Sequence, residues 1–304
     1  MTSTALHLPG PVQRRIDRAS GKLMAAGSGP HWDFLHPAGE AALVPADSVS
    51  WRVFKNPVGL FIGGVGAVIL ELAEPSVRDG VWQHSSFRTD ALTRLQRTGL
   101  AAMMTVYGPR SRAEAMIAHV VRAHGHVTGD TSEGVAYYAN DPVLLDWVQA
   151  TATFGFMEAY HRYVHALTPG ERDALLAEAA PGARLYGAVG APRSQRELAA
   201  LFVRMDDRLV PSPIIAEFLD IMARVPALPR LLHPVQRLLV GAAVDMLPPA
   251  LIERLGLTDR KLNRGERLLV RTAARAADRI VLKNAPPAQA CVRMGLPVDA
   301  LYRR

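Results

Sequence analysis

Signals for the start and end of α-helices recur along the whole chain. Residues 168–171 (TPGE) and 194–197 (SQRE) have the capping-box pattern, in which a hydroxyl and a carboxylate satisfy free amides of a first helical turn. Residues 111–114 (SRAE) repeat this pattern, Asp141 precedes a proline in the same role, and Gly256 is a typical helix end. Between these signals, apolar residues recur every three or four positions. The chain is therefore constrained to fold mainly as amphipathic helices.

This pattern predicts helices at 11–26, 57–73, 89–107, 111–124, 142–166, 169–180, 194–206, 213–224, 229–246, 248–255 and 262–282. Residues 127–139 place turn residues between two short β-prone runs, which predicts a small hairpin. Residues 31–50 are expected to form an ordered loop or short strands. The expected fold class is all-α, as a single large helical domain.

The 304 residues contain no repeat and no low-complexity linker. We expect an N-terminal helical extension at 1–30, one domain at 31–283 and a C-terminal tail at 284–304. The net charge of +7 includes no run of five like charges, so a solvated basic surface is expected rather than a nucleic-acid partner. One cysteine, Cys291, excludes an internal disulfide and a cysteine-built metal site. The N-terminus has no apolar signal core, which predicts a cytoplasmic protein.

The 57–73 segment is the most apolar stretch, but glycines and Glu71 interrupt it. It is shorter than the roughly 20 residues that a membrane-spanning helix needs. We therefore expect a buried helix, with peripheral membrane contact as the alternative. The oligomeric state does not follow from the sequence.

The predicted 89–107 helix carries Arg94 and Thr98 on one face, together with the small residues Ala91 and Ala101. Arg97 borders this face. Small residues let a flat molecule lie close to the backbone, and the guanidinium and hydroxyl groups could donate hydrogen bonds to it. The alternative is an exposed face with ordinary surface arginines.

The predicted 111–124 helix ends in His124, at the end of a stripe that includes Ala113 and Ile117. Gly125 follows at once, which predicts that His124 lies at a helix C-terminus where a partner can approach. Taken with Arg94, this arrangement suits a planar metal cofactor, with a ligand on one side and donors on the other. A core histidine with ordinary hydrogen bonds is the alternative.

His161 and His165 have the i, i+4 spacing of two metal ligands on one helix. The intervening residues lack the glutamate of a zinc-peptidase motif, and Arg162 would oppose a dication. A metal-dependent hydrolase that uses these two histidines therefore remains a lesser alternative.

Several short segments together resemble the family that contains the rubber oxygenase (latex-clearing protein) and the mycophenolic-acid-pathway oxygenase. The similar segments are Gly80-Val-Trp-Gln-His84-Ser85, Arg94-Leu-Gln-Arg97-Thr98, Tyr107-Gly108, His124-Gly-His-Val-Thr-Gly129 and Asn140-Asp-Pro-Val-Leu-Leu-Asp-Trp147-Val. Their order and spacing are more specific than any one of them.

The resemblance implies a helical fold with a globin-like core, a haem b (iron) cofactor, and dioxygen and an apolar unsaturated substrate as small-molecule partners. It implies that His124 is the proximal iron ligand. Arg94 and Thr98 would lie in the distal pocket with Arg97, where they could stabilise negative charge on reacting oxygen. His84 is expected to join the cofactor-binding residues.

The resemblance also implies oxidation or oxidative C=C cleavage of an isoprenoid or lipid-like substrate. A non-catalytic haem- or lipid-binding protein is the alternative function. The chain departs from the family in three respects. Arg97 stands where the rubber oxygenase has a lysine, Gln149 stands where family members often carry histidine, and no acidic residue before Arg94 matches the proposed catalytic glutamate.

Overall fold

The computed structural model describes residues 4–6, 8–24, 32–227 and 233–303. Most of these residues lie in α-helices, and two short strands form the described sheet. The all-α class predicted from the sequence is confirmed. The domain boundaries remain a prediction.

The N-terminal half of the chain forms the helices α1 (Gly10–Met24), α2 (Val49–Phe54), α3 (Pro57–Ala73), α4 (Pro75–His84), α5 (Ala91–Tyr107), α6 (Arg110–His124) and α7 (Pro142–Ala159). The C-terminal half forms α8 (Pro169–Tyr186), α9 (Gln195–Met205), α10 (Pro213–Arg224), α11 (His233–Asp245), α12 (Pro249–Arg254), α13 (Arg264–Ala277) and α14 (Pro286–Arg293). The strands are β1 (Thr128–Asp130) and β2 (Ala136–Tyr138).

Helix α3 lies at the centre of the fold, where it packs against α4, α7, α10, α11 and α13. Glycines allow this close packing. A Cβ atom on Gly63 would lie 2.8 Å from the Gly155 carbonyl oxygen of α7, and a Cβ atom on Gly66 would collide with the Met246 side chain. The glycines that interrupt the apolar segment in the sequence are therefore contact points between helices.

The start of α3 is tied to α13 by a buried asparagine. The Asn56 side chain accepts a hydrogen bond from the Gly59 amide at 2.8 Å and donates to the Ala274 carbonyl oxygen at 2.9 Å. The same residue is fully buried. Because a buried amide that loses a partner is costly, this cap fixes α3 and α13 relative to one another.

Buried aromatic side chains tie α5 to α2 and α7 to α3. The Trp51 indole donates to the carbonyl oxygens of Val44 and Val106, and the Tyr107 hydroxyl donates to the Trp51 carbonyl oxygen at 2.6 Å. The Trp147 indole donates to the Leu70 carbonyl oxygen of α3 at 3.3 Å. These bonds satisfy the polar edges of rings that are otherwise surrounded by apolar atoms.

The predicted hairpin is confirmed, with Gly129 opposite Tyr137 in an antiparallel pair. Gly134 supplies the positive φ, 79°, that its turn requires. The hairpin packs on α4, where the Tyr137 ring lies over Gly80 and the Ser132 amide donates to Asp79 at 3.0 Å. It thereby holds the helix that ends at His84.

Three helices were not predicted, namely α2, α4 and α14. The first has six residues and the second has ten, so each is too short for its periodicity to stand out. Tertiary contacts stabilise them. Glu74 caps α4 by accepting from the Val77 amide at 2.7 Å and is held by Arg208 at 2.6 Å. The 31–50 segment contains no strand within its described residues, and α2 begins at its end.

Some predicted boundaries were also wrong. Ser111 does not cap α6, because its amide and hydroxyl both bond to Glu40 instead. The helix predicted at 142–166 ends as an α-helix at Ala159 and continues as a π-helix over Tyr160–Val164. Helix α8 continues through Pro181 to Tyr186. The predicted 229–246 helix begins outside the described residues and is observed as α11.

Candidate functional site

Arg94 lies in the first turn of α5, which Asp90 caps by accepting a hydrogen bond from the Thr93 amide. The guanidinium carbon lies 5.6 Å from the centre of the Phe87 ring. Its Nε atom is buried and has no hydrogen-bond partner among the described residues. Burial lowers the pKa of Arg94, as does Arg97, while the Glu71 carboxylate raises it. Arg94 is therefore a largely desolvated cation with a donor left to satisfy.

Arg97 and Thr98 lie one turn further along α5 and are exposed. The Thr98 hydroxyl donates to the Arg94 carbonyl oxygen at 2.9 Å. In this rotamer the hydroxyl cannot donate to a ligand, although its lone pairs can accept. The structure thus distinguishes three residues that the sequence groups together, since only Arg94 is partly buried.

His124 is the last residue of α6, as predicted. Of the stripe that leads to it, Ala113 and Ile117 are buried, whereas His124 itself is half-buried. Its Nδ1 atom is buried and has no partner within the described part of the chain. Burial, and then the charge of Arg94, lower the pKa of His124. The imidazole is therefore neutral at physiological pH, which is the form that binds metals.

Other unsatisfied polar atoms lie along the same part of the chain. They include Trp82 Nε1, Ser85 Oγ and Asn140 Oδ1, each buried without a partner among the described residues. Trp82 stacks on Phe87 at 6.3 Å between ring centres, and the Asn140 amide donates to the Val121 carbonyl oxygen of α6. Folded proteins leave few buried polar atoms unpaired. Together with Arg94 Nε and His124 Nδ1, these atoms are hydrogen-bonding groups that a ligand could satisfy.

Glu71 is the residue that sequence reasoning missed. It lies on α3 and is half-buried, although Leu70 and Leu72 on either side are fully buried. The Thr151 hydroxyl lies 3.4 Å from its carboxylate. Burial raises its pKa to about 7, against the opposing effects of Arg94 and Thr151. The sequence did contain a signal, because a lone carboxylate within an apolar helix is costly unless it has a role.

His84 lies at the C-terminal end of α4 and is exposed. No direct bond joins it to Arg94 or His124 among the described residues. Gln149, at the position where the family often carries histidine, is half-buried on α7. The structure therefore brings Glu71, Arg94 and His124 into electrostatic contact and leaves His84 at the surface.

The two histidines of the alternative metal site do not share a helix. The His161 Nδ1 atom accepts a hydrogen bond from the Leu167 amide at 3.0 Å. His165 lies beyond the π-helix in an extended conformation, 3.4 Å from the Asp278 carboxylate. No cluster of three metal-binding side chains occurs among the residues described. The predicted i, i+4 pair is thus disrupted by the change from α- to π-helix.

A separate cavity of about 530 Å³ lies beside this π-helix. Its charged residues are already paired, with Arg52 bonded to Glu171 and Lys55 2.7 Å from Asp278. His165 of the alternative metal site lines it, but none of the residues predicted from the sequence to bind haem does. It is therefore distinct from the cluster around Arg94 and His124.

The residues around Arg94 and His124 fit a haem better than a redox-inert metal. A single neutral imidazole without further protein ligands suits an iron whose remaining positions are supplied by a porphyrin and a small molecule. The desolvated guanidinium provides positive charge near it, and Glu71 provides a group that can gain or lose a proton near pH 7. The buried Nδ1 atom of His124 has no hydrogen-bond partner among the described residues.

Residues 51–279 match a family model described as ER-bound oxygenase mpaB/B'/Rubber oxygenase, catalytic domain. The chain belongs to this oxygenase family. The match supports an oxidoreductase and, as partners in general, a substrate and dioxygen. No curated protein and no solved structure matches the chain.

The family resemblance inferred from the short motifs is confirmed. The matched region includes Glu71, Arg94 and His124. Within the described residues, no single helix is long and apolar enough to cross a membrane. Helices α3 and α4 reach that length and apolarity only when they are taken together, and this pair bends by 112° at Glu74.

Proposed function

We propose that this protein is a haem-b-dependent oxygenase that acts on an apolar, unsaturated, isoprenoid or lipid-like substrate, by oxidation or by cleavage of a C=C bond. The observation that carries the proposal is the pair formed by His124 and Arg94. Both have a buried nitrogen without a partner among the described residues, and the charge of Arg94 lowers the pKa of His124.

In this proposal His124 holds the iron through one ring nitrogen. Bound haem would supply the centre at which dioxygen is activated. Arg94 donates hydrogen bonds to oxygen atoms that become negative and places a positive charge beside them. Much of the water is excluded from this site, which strengthens both effects. Because a guanidinium group stays protonated in proteins, Arg94 stabilises charge but does not transfer a proton.

Glu71 is the group that can move a proton. A carboxyl group with a pKa of about 7 exchanges protons readily at physiological pH. Its position opposite Arg94 allows it to take a proton from the substrate or return one to oxygen. The Thr98 hydroxyl already donates to the Arg94 carbonyl oxygen, so towards a ligand it can only accept, and it serves to orient groups at the open side of the site.

The test begins with the absorption spectrum of protein produced with adequate haem. A Soret band and one haem per chain support the cofactor assignment. Oxygen uptake is then measured with squalene and with squalane, its saturated counterpart. We expect uptake and carbonyl products with squalene only. Haem without turnover of any olefin would favour the non-catalytic alternative, and protein that takes up no haem would refute the proposal.

A further inference from the structure

The outer face of α13 carries two adjacent exposed leucines. Leu268 is 65 % exposed and Leu269 is 61 % exposed, whereas Val270 and Ala274 on the opposite face are buried. Single exposed leucines are common on protein surfaces. Two neighbouring leucines that extend from one helix form a local apolar patch whose function is not explained by the fold.

Arginines surround this patch at helical spacing. Arg264 lies four residues before Leu268, Arg271 lies three after it and Arg275 lies seven after it, so all four share one stripe. All three arginines are exposed. We call these arginines, with Leu268 and Leu269, the α13 outer face.

Two acidic groups near this face are paired with cations outside it. Asp245 binds Arg267 at 2.7 Å, and Asp278 binds Lys55 at 2.7 Å. Glu266 keeps its negative charge, because its carboxylate accepts from the neutral Asn263 amide at the start of α13. The three exposed arginines of the α13 outer face therefore leave a net positive charge that faces solvent.

Two of the arginines are held by hydrogen bonds to neutral carbonyl oxygens, which leave their positive charge unneutralised. Arg271 and Arg275 each donate through Nε to a carbonyl oxygen of the π-helix, Arg162 and Val164 respectively, which holds their guanidinium groups at the surface. Arg264 has no partner among the described residues. It is the first residue of α13, where a positive charge opposes the helix dipole.

We propose that the α13 outer face docks on an anionic membrane surface. Leucines enter the boundary between headgroups and acyl chains, while the surface guanidinium groups of the arginines contact the phosphate and carboxylate groups above them. Unbalanced like charge disfavours a second copy of this face as the partner. The combination of apolar and cationic side chains on one stripe matches the chemistry of an anionic lipid interface.

Binding is measured by co-sedimentation with sucrose-loaded vesicles of phosphatidylcholine, alone or with 30 % phosphatidylserine. Haem-loaded wild-type protein is expected to bind the anionic vesicles and to leave the neutral ones largely free. Leu268→Ser/Leu269→Ser should weaken this binding by about tenfold or more. Arg264→Gln/Arg275→Gln should weaken it at low salt, with a smaller effect at high salt. Val203→Ser, which alters an exposed valine on α9, is the matched control and should bind as wild type.

The leucines are exposed, so the variants should retain their melting temperature. A second readout uses Leu268→Trp, whose fluorescence should shift to shorter wavelength with anionic vesicles only. Loss of binding in the arginine variant but not in the leucine variant would indicate adsorption by charge alone and would overturn the proposal. A change of oligomeric state in the leucine variant, without a change in vesicle binding, would assign the face to self-association and would equally overturn it.

Discussion

The Glu71 carboxylate on α3 and the Arg94 guanidinium on α5 oppose the effect of burial on each other. Burial raises the pKa of Glu71 to about 7, and Arg94 lowers it; burial lowers the pKa of Arg94, and Glu71 raises it. The Arg94 cation therefore does not fully offset the cost of burying the ionised Glu71 carboxylate. A carboxyl group held in this way keeps a proton available near neutral pH, next to a donor without a partner.

Replacing His124 should remove the proposed iron ligand. We expect His124→Ala to lose most of its haem, because alanine offers no nitrogen ligand for the iron. His119→Ala, which changes an exposed histidine of the same helix, should keep full haem content. The Soret absorbance per chain measures both. Full occupancy and an unchanged ligand-field spectrum in His124→Ala would refute the assignment.

Replacing Arg94 should affect turnover more than cofactor binding. Arg94→Ala is expected to retain haem and to lower turnover by about 10²-fold, the usual cost of removing a donor to developing negative charge. Arg94→Lys keeps the charge without the planar donor pair and should recover part of the loss. Oxygen uptake with squalene measures the effect. If oxygen affinity and turnover are both unaltered, Arg94 is structural.

Glu71 should make stability depend on pH. Its pKa in the folded protein, about 7, lies above its ordinary value of 4.5, so the folded state holds a proton that the unfolded chain has released between these values. The free energy of unfolding should therefore fall as the pH rises through this window, by on the order of 1–3 kcal/mol.

Glu71→Gln should abolish this dependence, so that it equals wild type near pH 4 and is more stable at pH 8. Urea unfolding at each pH measures the difference. Glu114→Gln alters an exposed carboxylate on α6 and should leave the wild-type profile unchanged. Parallel profiles for wild type and Glu71→Gln would show that the carboxyl group titrates normally.

Arg97 should not bind iron. A guanidinium group stays protonated across the working pH range and offers no lone pair, so the ferric protein should be five-coordinate or water-bound. Arg97→Lys should acquire a nitrogen donor as the pH rises towards 10, and Arg97→Ala should not. Spectra from pH 6 to 10 decide the matter. Bis-nitrogen ligation in wild type that disappears in a His84 or His126 variant would identify a different distal ligand.

The crossing of α3 and α7 should tolerate a methyl group at one glycine and not at its neighbour. Gly63→Ala places a Cβ atom 2.8 Å from the Gly155 carbonyl oxygen and should cost about 1–3 kcal/mol of stability. The control is Gly64→Ala, whose Cβ atom would lie 4.0 Å from the nearest atom of Phe156. It should be neutral or stabilising, because alanine favours the helix. Equal denaturation midpoints for the two variants would contradict the close crossing.

Interactions between residues that are close in the chain account for much of what the sequence alone predicted. Helix α3 has the predicted boundaries, and Thr168 and Glu171 form the predicted capping box, because apolar period and end-capping act within a few residues. The hairpin follows for the same reason. The order of short motifs was enough to identify the family, since each motif is contiguous.

Only the tertiary structure determined the electrostatic pairing of Arg94 with Glu71. Glu71 is separated from Arg94 by α4 in the chain, and its altered pKa comes from burial and from charges on other helices. Short helices such as α2 and α4 depend on contacts of this kind as well. The π-helix after Ala159 separated His161 from His165 although their spacing suggested a pair. Burial and long-range contact arise from how the helices pack, which no local pattern of residues specifies.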